Sequence, residues 1–208
     1  MVIKMERLKQ QIEFLLELDK MKNLYRQTYV IHDESRGDSG AVPHKRHEND
    51  AEHSFHLALF AMVLSEYSNS PIDVFKVMKM VLVHDVVEID AGDTYCYDTK
   101  GYESKKEREL NAADRIFGLL PEDQQKQFRA LWDEFEEYKT PESRFANALD
   151  RLQPVLLNYT KGGISWSEHN IKYSQALERN GSIKYGSEEL WKYAKAILDE
   201  CLDKGVLK

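Results

Sequence analysis

Apolar residues return at intervals of three and four along almost the whole chain, and no stretch alternates apolar with polar residues in the two-residue rhythm of a strand. A chain patterned in this way has to pack helical stripes against one another, so the expected fold class is all-α, a helical bundle of about seven or eight helices. With 208 residues, 42% of them hydrophobic, and no internal repeat, one domain spanning 1–208 can enclose its own core.

A first helix is read over residues 5–25, with Ile12, Leu15, Leu16 and Leu24 as its buried stripe. The longest irregular stretch follows at 26–48, where Gly37-Asp38-Ser39-Gly40 and Pro43 mark a polar loop, of the length that often forms a lid. Asn49 looks like an N-cap because Glu52 follows it at capping-box spacing, and Phe55, Leu59, Met62 and Val63 then supply an apolar face. Ser70-Pro71 opens the next helix, and Val74, Val77, Met78, Val81 and Leu82 carry it to His84-Asp85, with Gly92 at its end. Further helices fit 104–119, 122–138, 142–158 (capped by Thr140), 168–180 and 187–202, with Pro154 loosening the third of these.

Charge and cysteine usage exclude several functions. Lys and Arg number 29 against 36 acidic residues, a net charge of -7, so no excess of cations is available to neutralise a nucleic acid polymer. Cys96 and Cys201 are the only cysteines, which suits two free thiols in a reducing compartment, the cytoplasm. No segment approaches the roughly 20 consecutive apolar residues of a membrane span, and the charged N-terminal stretch lacks a signal peptide's apolar core. No membrane partner is expected.

The residues that carry chemistry are polar intrusions into apolar helices. A carboxylate beside an imidazole, as in His84-Asp85, is costly at the end of so apolar a helix unless a metal or counter-charge compensates it. His53 and Asp150 interrupt two other apolar stripes, and the four could converge from three helices. Their order, His53, then His84-Asp85, then Asp150, resembles the H…HD…D signature of the HD-domain phosphohydrolases. The segments 46–54 (RHENDAEHS), 82–88 (LVHDVVE), 91–93 (AGD) and 148–151 (ALDR) are similar to those of the 5′-deoxynucleotidase branch of that superfamily, a likeness covering about 25–166.

What the resemblance implies is a phosphomonoesterase that converts 5′-(deoxy)nucleoside monophosphates, small-molecule substrates, to nucleoside and phosphate. It implies one divalent ion held by His53, His84, Asp85 and Asp150. Chemically this mixed nitrogen and oxygen set suits Co, Mn, Ni, Fe, Zn or Mg, and an octahedral ion so held keeps two positions open. Glu88 follows His84 by four residues and Asp85 by three, so on a continuing helix it shares their face. A solvated helix-end glutamate fits that spacing equally; the resemblance favours general acid/base work. Asp93, after Gly92, is by its neighbours a turn former and by resemblance a catalytic or sugar-contacting residue. Arg26, aligned with a phosphate-binding arginine of the family, and Arg46 are the candidate substrate cations, although Gln27 stands where some relatives carry tryptophan.

The remaining candidates have plainer readings. Lys105, Lys106 and Arg108 alternate with glutamates and read as a solvated helix surface, while His32, His44, His47 and His169 fall in polar loops. His56, one turn from His53, is a candidate to support it, and Tyr95, Tyr97 and Tyr102 could wall a nucleoside pocket. No histidine lies between Asp85 and Asp150, which argues for a single metal; Ile89 after Glu88 departs from the Glu-Asp pair of guanosine tetraphosphate hydrolases, leaving that pyrophosphohydrolase activity as the alternative substrate. A non-catalytic metal- or nucleotide-binding helical module is the alternative of a different class. A homodimer is expected from the general frequency of twofold assemblies.

Overall fold

The computed structural model describes residues 2–31, 45–93 and 104–208. It is a helical bundle joined, among the described residues, by one two-stranded antiparallel sheet. Helix α1 (Val2–Glu17) ends in a 3₁₀ turn (Leu18–Asn23), and strands β1 (Tyr25–Ile31) and β2 (Lys45–Asn49) follow. The stretch 26–48 was expected to be irregular. Its two ends instead pair as a hairpin, because Tyr29, Val30 and Ile31 have enough strand propensity to register against His47, Arg46 and Lys45. From Tyr25↔Asn49 to Tyr29↔His47, β1 advances four residues while β2 advances two, so β1 bulges over Arg26–Thr28. The loop's Gly37-Asp38-Ser39-Gly40, Pro43, His32 and His44 lie outside the described residues, as do Tyr95, Cys96, Tyr97 and Tyr102.

Helix α2 (Asp50–Leu64) begins on the expected capping box: the Asn49 side chain accepts from the Glu52 N–H and the Glu52 carboxylate accepts from the Asn49 N–H. Its buried face differs from expectation. His53, Ser54, Leu57, Ala58 and Ala61 face inward, while Phe55, Leu59, Met62 and Val63 are exposed. In α1, likewise, Phe14 is buried and Ile12, Leu15 and Leu16 are exposed. Both helices are apolar on more than one side, so periodicity identifies a helix without identifying which stripe its neighbours cover.

Helix α3 (Val74–Val83) starts three residues later than read, with Asp73 rather than the Ser70-Pro71 pair at its cap. It stops before His84, and a tight turn leads to the short helix α4 (Glu88–Ala91), closed by Gly92 at φ 75°. Helices α5 (Lys105–Phe117), α6 (Glu122–Glu137) and α7 (Pro141–Thr160, capped by Thr140) fall where expected, and α7 runs through Pro154 without ending. The region read as one helix over 168–180 is split into α8 (Ile164–Glu168) and α9 (Tyr173–Asn180), before α10 (Ile183–Gly186) and α11 (Glu188–Asp203).

Helix α7 organises the bundle. Its Phe145, Ala146, Ala148, Leu149 and Leu152 pack with α2, α3, α10 and α11 in the largest core cluster, around Leu57, Met80, Val81 and Ile183. A second cluster joins Phe14 and Met21 to Val86, Val87, Ile116 and Trp132, and a third lies under α8, α9 and α11. The polar site sits between the first two, where α2, α3, α4 and α7 meet behind the bulge of β1.

Candidate active site

His53 is fully buried on α2, facing α7. His84 lies just past the end of α3, and Asp150 at the middle of α7. One ligand atom from each of these three lies within 4.8 Å of the others, and the His53 and His84 rings are 5.6 Å apart between centroids. Asp85 joins them, with Oδ1 3.1 Å from His84 Nε2 and Oδ2 3.8 Å from His53 Nε2. The structure thus brings together all four residues singled out as metal ligands.

Both imidazoles present Nε2 to the centre. His84 Nδ1 is 2.9 Å from the Val81 carbonyl and His53 Nδ1 is 3.2 Å from Gln153 Oε1. Neither oxygen can donate, so each Nδ1 carries the hydrogen and the neutral ring keeps its lone pair on Nε2. Those lone pairs meet carboxylate oxygens: Asp150 Oδ1 is 3.1 Å from His53 Nε2 and 3.6 Å from His84 Nε2. His84 Nε2 is buried without a hydrogen-bond partner. Lone pairs facing lone pairs in a dry centre call for a cation between them, and the donor set fits a divalent one. The His and Asp residues here could hold such an ion.

A second group abuts the first. Asp50, Asp85 and Glu88 are all buried, with an oxygen of each within 4.8 Å of the others, and Asp50 Oδ2 and Glu88 Oε2 have no hydrogen-bond partner. The bulge of β1 sends Arg26 into this space, with Nη1 2.7 Å from Asp85 Oδ2 and 3.4 Å from Asp50 Oδ1, and Nη2 3.8 Å from Asp150 Oδ1. Glu88 was expected on a continuing helix; the turn at 84–87 breaks that helix, yet its i to i−3 hydrogen bonds keep Glu88 beside Asp85.

The electrostatics follow from this crowding. Burial, and then the charge of Asp85, raises Asp50 to about 7 and pushes Glu88 well above the usual carboxylate range. Burial also raises Asp93, against the pull of Arg26. Asp150 goes the other way: burial opposes its charge, but the adjacent His53 and His84 rings hold it well below its ordinary value. Burial would lower His84, and Asp85 more than compensates. Arg26, despite its burial, is held charged by Asp85 and Asp150.

The site opens into a cavity of about 440 Å³ lined by Arg26, Gln27, Asp93 and Lys105 on one side and by Asn147, Arg151 and Asn158 of α7 on another. Arg46 is not among the lining residues. Its guanidinium makes a bidentate pair with Glu52 at 2.6 and 2.7 Å on the outer side of the hairpin. Lys105, read as surface, lines the cavity and pairs with Glu109. His56 lies 3.3 Å from Gln153 Nε2, close to the supporting place considered for it, whereas His47 packs on Tyr29 and His169 meets Gln27. Sequence reasoning assigned no role to Asp50 or Gln153, although each is three residues from a predicted ligand on the same helix and so shares its face.

A helical bundle with a buried histidine–aspartate centre at the foot of an open polar cavity is the architecture of a metal-binding site rather than of a packing domain. The HD domain family model matches residues 18–191, and the chain belongs to that family. It is similar to the human 5′-deoxynucleotidase HDDC2, 32% identical over 112 residues, 54% of this chain and 53% of that protein. The Dictyostelium discoideum 5′-deoxynucleotidase HDDC2 is 29% identical over 153 residues, 71% of this chain and 75% of that protein. The chain spans about half the length of the vertebrate curated relatives it matches. Among solved structures, a predicted metal-dependent phosphohydrolase from Magnetospirillum magnetotacticum MS-1 superimposes with a TM-score of 0.85 at 44% identity, over 97% of this chain and 96% of that one. The PH0347 protein from Pyrococcus horikoshii OT3 gives 0.61 at 25% identity, over 91% and 96%.

Proposed function

We propose that this protein is a metal-dependent phosphomonoesterase that hydrolyses 5′-(deoxy)nucleoside monophosphates, with one divalent ion held by His53, His84, Asp85 and Asp150. The observation that carries the reading is the inward convergence of two Nε2 lone pairs and two aspartates beside a buried glutamic acid and an arginine. The names of the relatives support the substrate class, and the donor set supports Co, Mn, Ni, Fe, Zn or Mg. A divalent ion bound there supplies Lewis acidity, for polarising a phosphoryl oxygen and for acidifying water.

The chain's own residues supply the rest. Arg26, at the cavity floor, offers positive charge to the non-bridging oxygens of a phosphate. Glu88, which burial and then the charge of Asp85 push well above the usual carboxylate range, would give a proton to the departing 5′ oxygen. Asp93 lines the cavity as a candidate for a sugar hydroxyl, and the volume falls within the roughly 300–1,000 Å³ of small-molecule sites. The test is phosphate release from a panel of deoxy- and ribonucleoside 5′-monophosphates, 3′-monophosphates and guanosine tetraphosphate, each with several divalent metals. Faster turnover of the 3′ esters or the tetraphosphate overturns the substrate, and metal-independent activity overturns the mechanism.

The homodimer and the cytoplasmic setting belong to the same proposal. Leu8, Ile12, Leu15 and Leu16 of α1 and Phe55, Leu59, Met62 and Val63 of α2 are 42–69% exposed. Exposed apolar helix faces of this kind mark interaction surfaces. A second copy presenting the same uncharged face is the occupant proposed. Sedimentation of Leu16→Lys and Val63→Glu variants should give monomers where the parent gives dimers; a monomeric parent refutes the pairing. Among the described residues no helix is long and apolar enough to cross a membrane.

A further inference from the structure

Helix α7 faces the His53 ring at both nitrogens. Asp150 Oδ1 lies 3.1 Å from Nε2 and Gln153 Oε1 lies 3.2 Å from Nδ1. Asp150 and Gln153, three residues apart, adjoin on one face of the helix. Gln153 and His53 are completely buried, and so, nearly, are Glu48 of β2 and Thr28 of the β1 bulge.

The neighbours of Gln153 decide which way its amide points. Glu48 Oε1, 2.6 Å from Nε2, is a carboxylate oxygen and can only accept, so the NH₂ group faces Glu48, with His56 Nδ1 at 3.3 Å from the same nitrogen. The amide oxygen is thereby turned to His53, whose Nδ1–H donates to it. Glu48 is itself anchored by the Thr28 hydroxyl, which donates to Oε2 over 2.9 Å.

We propose that Gln153, oriented by Glu48, is a positioning residue that sets the tautomer and ring orientation of His53 for metal binding. The inference rests on the metal reading above. Its physical basis is a competition between two acceptors. Without Gln153 the neutral ring would move its hydrogen to Nε2, where Asp150 Oδ1 would accept it, and a ring in that tautomer has no lone pair for an ion. At His84 the Val81 carbonyl does the same work from the backbone, so only the His53 arrangement depends on side chains.

The test uses Gln153→Met, Gln153→Glu, Glu48→Gln and the double variant Glu48→Gln/Gln153→Glu. Mn²⁺ affinity is read by calorimetry, and the His53 tautomer by ¹⁵N chemical shifts in the metal-free protein. Gln153→Met should bind Mn²⁺ roughly 10–100-fold more weakly and show hydrogen on Nε2. Gln153→Glu sets two carboxylates against each other and should also weaken binding. The double variant exchanges donor and acceptor, so the amide at 48 donates to the carboxylate at 153, the repulsion is relieved with an acceptor kept at Nδ1, and affinity should recover. A folded Gln153→Met with wild-type affinity and tautomer overturns the proposal; if that variant does not fold, a double variant no better than Gln153→Glu overturns it. A wild-type protein that takes up no Mn²⁺ would remove the metal reading alone. The tautomer comparison then decides the positioning role by itself, an unchanged Nδ1–H refuting it.

Discussion

Glu88→Gln separates the chemistry of the site from its architecture. Glutamine matches the acid in shape and fits the same buried space, but it has no proton to transfer. Burial first, and then the charge of Asp85, holds Glu88 well above the usual carboxylate range, which favours the form a general acid needs. Its loss should lower kcat by roughly two to four orders of magnitude, as for other acid/base residues, or about 3–5 kcal/mol of barrier. Stability should move differently. A carboxyl whose folded pKa is raised contributes stability in full below its unfolded value, and that contribution is lost as pH rises through the folded value. The glutamine variant has no such loss, so the metal-free variant at pH 8 should be at least as stable as the wild type. The assay is phosphate release from a deoxynucleoside 5′-monophosphate at saturating Mn²⁺ or Co²⁺ between pH 5 and 9, with metal content measured alongside. The alkaline fall in activity should disappear with Glu88. Near-normal turnover with the metal retained would refute the acid/base role, and loss of the metal would make Glu88 a ligand.

His84→Ala and Asp85→Ala should each lose metal and activity together, as should the wild type after chelation, with recovery on adding Mn²⁺; wild-type metal affinity in either variant would show that the residue is no ligand. Arg26→Ala should slow turnover by roughly a hundredfold or more, as removal of a transition-state donor does, whereas Arg46→Ala breaks a half-exposed pair worth about 1 kcal/mol or less and a hydrogen bond to the His47 carbonyl, and should leave kcat intact. Comparable losses in the two would place Arg46 at the phosphate after all. Asp50, raised from 3.8 to about 7, should make the metal-free wild type less stable as pH climbs through that interval, by about 4 kcal/mol at most. Urea denaturation at pH 5 and pH 8 with chelator present should show that slope flattened in Asp50→Asn, and an unaltered slope would contradict the assignment.

What could be read from the sequence was set by how local each signal is. The Asn49–Glu52 and Thr140 caps depend on residues three apart, and both stand where read. His53, His84, Asp85 and Asp150 stood out because an ionisable group in an apolar stripe needs a reason, and they do converge. The choice of buried stripe was not legible. Phe55, Leu59, Met62 and Val63 form as regular an apolar face as Leu57, Ala58 and Ala61, and only the neighbouring elements decide between them. The β hairpin escaped notice because its strands join through a bulge and alternate poorly, although that bulge is what aims Arg26. Arg46 looked equivalent to Arg26, and the difference lies in a local partner, Glu52, six residues away.

The charge of the centre constrains how a phosphate can enter it at all. Asp50, Asp85, Glu88, Asp93 and Asp150 crowd one end of the cavity or its floor, and Arg26 lies within 4 Å of three of them. Two like charges 4 Å apart repel by about 4 kcal/mol at the effective dielectric near a protein surface. An anionic substrate therefore meets repulsion from every carboxylate that stays ionised. Burial first, and then the charge of Asp85, raises Asp50 and Glu88, and burial raises Asp93, which disfavours their charged forms. Asp85 and Asp150 are the carboxylates that hold Arg26 charged. For the guanidinium to turn to a phosphate it would have to leave Asp85, 2.7 Å away, and so strand buried charge. A divalent cation on the histidine and aspartate side relieves it of that duty. On the proposed function, metal binding and the release of Arg26 toward a phosphate would be one electrostatic event, and chelation should weaken substrate binding as well as hydrolysis.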